Sequence, residues 1–98
     1  MQQLFHIEFE LPNPMPMDFI RLIPEQRNVL NLLLADGSVK SYSLAADRSK
    51  LWMIAAASDE EEVWDMLTEL PMIDYLDPVI TELAFHNSSE QVLQFSLN

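Results

Sequence analysis

The sequence predicts one α+β domain, an antiparallel sheet covered on one face by two helices. Three observations carry that prediction. Five short segments show the two-residue alternation of strands, and two others repeat apolar residues near a 3.6-residue period. The chain has 98 residues, room for a single core. With 49% hydrophobic residues it is too apolar for an acidic disordered tail.

Residues 3–11 place Phe5, Ile7, Phe9 and Leu11 on one face, and Leu4, His6, Glu8 and Glu10 on the other. The run Pro12-Asn13-Pro14-Met15-Pro16 stops this strand, because proline has no N–H for a ladder. Residues 17–35 read as a helix through Phe19, Ile23, Leu30, Leu33 and Leu34. Pro24 interrupts it. Either the helix kinks there, or a short turn precedes a helix that starts at Pro24. Asp36-Gly37 ends the helix, and Gly37, the one glycine in the chain, suits a left-handed C-cap.

Residues 39–46 and 50–58 read as two strands joined by the polar turn Asp47-Arg48-Ser49. The second is apolar on both faces, as in a strand covered on both sides. Ser58-Asp59-Glu60-Glu61 has the form of a capping box with Ser58 as N-cap, and acids fill the first turn. Val63, Met66, Leu67 and Leu70 make the buried stripe of the helix that follows, with Trp64 beside it and Pro71 as its end. Met72 to Asp77 form a connector, and Val79 to His86 a fourth strand. Leu93, Phe95 and Leu97 alternate as an extra C-terminal strand over 91–97. The order β-α-β-β-α-β plus that strand is a ferredoxin-like plan for a single domain over 1–98. The second sheet face also carries apolar residues. Two copies packed face to face would cover it, so a homodimer is expected.

Composition narrows the function. There are 16 Asp and Glu against five Lys and Arg, a formal charge of −11. All five basic residues (Arg21, Arg27, Lys40, Arg48, Lys50) lie in the first half, and the second half carries ten acids. Such a chain repels phosphate backbones and anionic lipid, so no nucleic-acid or membrane partner is expected. Without cysteine there is no disulfide framework and no thiolate zinc site. The histidine spacings match no metal motif, and one glycine cannot build a phosphate loop. No cofactor is expected. No long apolar run and no basic leader is read, which points to the cytoplasm.

His6 and Glu8 are the leading catalytic candidates. They share one strand face, imidazole titrates near neutrality, and the carboxylate could orient it or act as the base. The alternative is that the two satisfy each other in a partly wet dimer cavity. Tyr75, His86, Lys40 and Tyr42 are the candidate substrate-binding residues. Tyr75 could donate to a ligand oxygen or anchor its connector, and His86 could bond a turn. Lys40 and Tyr42, with Arg48, could meet a ligand anion or lie solvated on the hairpin.

The opening Leu4-Phe5-His6-Ile7 and the stretch Leu70-Pro71-Met72-Ile73-Asp74-Tyr75-Leu76-Asp77, followed by Val79-Ile80-Thr81-Glu82-Leu83-Ala84-Phe85-His86, resemble the muconolactone Δ-isomerase family. The resemblance runs over about 4–89. It implies a dimeric α+β barrel, sometimes built into larger rings. It also implies an isomerase that moves a proton on an unsaturated lactone without metal or organic cofactor. The strand Val39-Lys40-Ser41-Tyr42-Ser43-Leu44 lacks the family's Trp, Arg and His. Glu8 and Phe85 stand where basic residues are common. Fewer cations favour a neutral or less charged ligand. The expected function is therefore a muconolactone isomerase-like small-molecule protein, acting either as an isomerase through His6 or Glu8 or as a non-catalytic binding or assembly domain.

Overall fold

The structure, a computed structural model, describes residues 2–89. Four strands and three helices follow the predicted order. They are β1 (Gln3–Glu10), α1 (Met17–Arg21), α2 (Ile23–Asp36), β2 (Val39–Leu44), β3 (Lys50–Ala57), α3 (Glu60–Leu67) and β4 (Pro78–Leu83). The sheet order is β2-β3-β1-β4 with every pair antiparallel, the ferredoxin-like arrangement. The C-terminal strand expected over 91–97 lies outside the described residues.

Register makes the sheet two-faced. Phe5, Ile7 and Phe9 stand opposite Ala55, Met53 and Leu51, and all six are buried. Leu30 and Leu33 of α2, Val63 and Leu67 of α3, and Leu70 close this core. Each fully buried side chain of that size contributes about 1.5–3 kcal/mol. The opposite face carries Leu4, His6 and Glu8, with Trp52, Ile54 and Ala56 beside them and Val79, Thr81 and Leu83 on β4. Its exposure is uneven: Ile54 and Ala56 are buried, while Val79 is 61% exposed.

Pro24 resolves as the second of the two alternatives, with a difference of one residue. Leu22 (φ −84°, ψ −10°) closes the short α1 and opens α2, so Pro24 falls in the first turn, where its missing N–H has no helical partner to lose. Gly37 has φ +84°, the expected left-handed cap. Arg48 also takes a positive φ in the β2–β3 turn, where Asp47 Oδ1 accepts from the Ser49 N–H and hydroxyl. A bulge between Val39 and Ser41 leaves Lys40 outside the ladder and turns Tyr42 and Leu44 toward the helix side.

Several boundaries differ from the sequence reading: β2, read as 39–46, ends at Leu44, and three others have local causes. Asp59, not Ser58, caps α3. Its carboxylate accepts from the Glu62 N–H at 2.8 Å, and Glu62 in turn accepts from the Ser58 N–H. β3 is paired with β1 as far as Ala57, which holds the chain extended through Asp59 (φ −157°, ψ 176°). α3 ends at Leu67 rather than at Pro71. A proline disfavours helical geometry in Leu70, and the Thr68 hydroxyl donates to the Asp65 carbonyl, so the chain leaves through tighter turns. β4 stops at Leu83, which places His86 beyond the strand.

Candidate functional site

The sheet face and the helix layer each bring polar groups together. On the open face, Glu8 lies opposite Trp52, and the indole Nε1–H donates to Glu8 Oε1 at 2.9 Å. Lys50 Nζ lies 3.6 Å from the other carboxylate oxygen. The indole bond holds the Glu8 carboxyl below its ordinary pKa; partial desolvation opposes it, and Lys50 and His6 add to the lowering. His6 is half-buried one pleat away on the same face, opposite Ile54 and Thr81. The sequence-predicted pair is therefore brought together, but Glu8 is already engaged by Trp52 and Lys50.

The helix side holds a cavity of about 260 Å³. Phe19 of α1, Gln26 and Leu30 of α2, Leu51 of β3 and Met72 form its closed end, all buried. Tyr42 sits in its wall, and the exposed Arg27 and Arg48 stand at its mouth. Tyr42 is here because the β2 bulge turns it inward, and its hydroxyl donates to Asn31 Oδ1 at 3.3 Å. Neither arginine forms an ion pair among the described residues. Two of the chain's five basic groups thus stand at one opening in a molecule of net charge −11.

Gln26 is the one buried polar residue among the described residues, 5% exposed. Its Oε1 accepts from the Met72 backbone N–H at 3.2 Å. Its Nε2 has no hydrogen-bond partner. Leaving such a donor unmet costs about 1–3 kcal/mol. Sequence reasoning passed over it, although a signal was present. Phe19, Ile23, Gln26, Leu30 and Leu33 follow one apolar stripe, and Gln26 is the polar interruption in it.

The other candidates are dispersed. Tyr75 meets Phe19 edge to face at 5.5 Å between ring centroids, which ties the connector to the cavity's wall. Lys40 is exposed at the bulge beside Gly37, and His86 is half-buried past β4. These three, like His6 and Glu8, are not among the residues lining this cavity. No group of three or more His, Asp or Glu among the described residues is placed to hold a metal. No helix among them is long and apolar enough to cross a membrane.

Four antiparallel strands in ferredoxin-like order with helices packed on one face define a class of compact α+β proteins. Within it, the family model for muconolactone delta-isomerase matches residues 1–89, and the chain belongs to that family. Its fold is similar to the crystal structure of muconolactone isomerase, with 24% identity, a TM-score of 0.69, and coverage of 88% of this chain and 93% of that one. Comparison with curated proteins returns no match.

Proposed function

We propose that this chain binds a compact oxygenated small molecule, of the size of a substituted lactone, in the helix-side cavity. The observation that carries this reading is the cavity itself. Its walls are apolar, Gln26 lies at its closed end, and Arg27 and Arg48 flank its mouth. A volume of about 260 Å³ suits a fragment-sized ligand rather than a larger cofactor. The lining residues include no carboxylate and no imidazole, so the cavity is furnished for binding rather than for moving a proton. The mouth arginines extend the ligand range to carboxylates. The sheet face away from the helices, where Val79 is exposed, is the surface on which a second copy would pack, and a homodimer belongs to this reading. The cytoplasm is the setting it assumes.

A second reading keeps isomerase chemistry on the open face. It is favoured by His6, half-buried beside a carboxylate that the Trp52 indole holds ionised. His6 would take a proton from one carbon of an unsaturated lactone and return it to another, with Glu8 stabilising the imidazolium, and no cofactor is needed.

One experiment separates the two. The protein is melted against neutral and carboxylated lactones, muconolactone included, and the amide shifts are then mapped for any that bind. A ligand at a hundred times its Kd adds about 2.7 kcal/mol, on the order of 10 °C for a domain this size. Shifts at Leu30, Tyr42 and Met72 support the cavity. Shifts at His6, Ile54 and Thr81, with turnover lost in His6→Ala, support the isomerase. Stabilisation by no lactone overturns both as lactone readings.

A further inference from the structure

We infer that the helix-side cavity takes an apolar monocarboxylate tail first, with the hydrocarbon body at the closed end and the carboxylate at Arg27 and Arg48. This rests on the cavity-binding reading above and adds the ligand's charge, orientation and size.

The charges come first. The chain carries 16 acids, yet none lines the cavity, whereas two of its five basic residues do. Arg21 lies beside Asp18 and Lys50 beside Glu8, but Arg27 and Arg48 have no carboxylate partner among the described residues. Guanidinium groups beside an apolar surface suit an anion carried on a hydrocarbon. The backbone of Arg48 points the same way. It takes φ +63°, a region that favours glycine, and Asp47 holds the turn there by accepting from the Ser49 N–H and hydroxyl. Glycine would serve the hairpin better but would put no cation at the mouth.

The interior fixes the orientation. Phe19, Leu30, Leu51 and Met72 offer apolar contact at the closed end. The Gln26 carbonyl is taken by the Met72 N–H, and the Gln26 NH2 is shut off from the cavity. In the wall, the Tyr42 hydroxyl donates to Asn31. The ligand's oxygens therefore belong at the mouth. An apolar cavity of about 150 Å³ holds benzene, so one of about 260 Å³ takes a body of roughly eight to ten carbons.

The test uses the full chain and three probes of one shape, 3-phenylpropanoate, 3-phenylpropanamide and 3-phenylpropylammonium. Binding is followed at low salt by ¹⁵N–¹H spectra that include the arginine Nε–H groups. The carboxylate is expected to bind about tenfold tighter than the amide, and the ammonium weakest, against the pull of a net charge of −11. Shifts are expected at Leu30 and Met72 from the ring, and at the Arg27 and Arg48 Nε–H from the carboxylate. The preference should shrink in about 0.5 M salt, since the mouth is open to water. Arg48→Gly suits the local backbone, so it should melt no lower than the parent while its preference falls to within about threefold. Arg27→Gln, at an exposed helix position, should lower the preference similarly. Equal binding of carboxylate and amide at the cavity, or a full preference in both variants, overturns the role of the arginines and leaves the cavity reading standing. Shifts at the arginines without any at Leu30 or Met72 overturn the tail-first orientation. If no probe perturbs Leu30, Tyr42 or Met72, the cavity reading itself fails.

Discussion

Glu8 takes its chemical character from a residue 44 positions away. Its place on a strand face beside His6 was legible from alternation alone, but the indole donor was not, because only the β1–β3 register sets Trp52 opposite it. That bond favours the ionised carboxyl, so the folded pKa lies below the unfolded one. The linkage sign follows: this contribution to stability is present above the ordinary carboxylate pKa and is lost as pH falls through the folded value. Trp52→Phe removes the donor and should raise the Glu8 pKa in a ¹³C carboxyl titration. The difference in melting temperature between the variant and the parent should shrink as pH is lowered from 7 toward 3. Comparing the two proteins at each pH cancels the relief of general repulsion in a chain of charge −11. An unchanged Glu8 titration would show that the indole bond does not matter in solution. Asp36 and Asp47 are lowered in the same direction, chiefly by the Ser38 backbone N–H and the Ser49 hydroxyl respectively.

Helix α3 shows how far a local motif reaches. The acidic run contains two overlapping capping patterns, Ser58 with Glu61 and Asp59 with Glu62, and the sequence does not rank them. Continuation of β3 to Ala57 selects the second. Asp59→Ala should therefore cost about 1 kcal/mol in urea unfolding, while Ser58→Ala should stay within a few tenths. The reverse ranking would move the cap back to Ser58. Helix α2 carries the complementary lesson. Its proline, its glycine cap and its apolar stripe were readable, because each acts over one or two turns. The function of the glutamine inside that stripe was not, because its partner, the Met72 N–H, arrives from 46 residues further on.

For the whole molecule, the two sheet faces have opposite fates. One packs against the helices, and the other leaves Val79 61% exposed opposite Glu8. Val79→Glu adds a like charge to a site that is 61% exposed, so folding should be little affected. Sedimentation should show the parent as a dimer at tens of micromolar, strengthened by salt that screens the acidic protomers, and the variant weakened at least tenfold. A parent that stays monomeric at that concentration would remove self-association from the proposal.

Sequence alone determined the order of the described elements, the two faces of β1 and β3, the glycine cap and the charge imbalance. These follow from periodicity and from backbone restrictions that act between near neighbours. Tertiary structure decided which distant residues meet: Glu8 with Trp52, Phe19 with Tyr75, Gln26 with Met72, and Tyr42 turned to the cavity with Arg27 and Arg48 at its mouth. A period assigns a side chain to a face. Partners across that face depend on strand register, on one bulge and on the docking of helices against the sheet, none of which is encoded within a few residues.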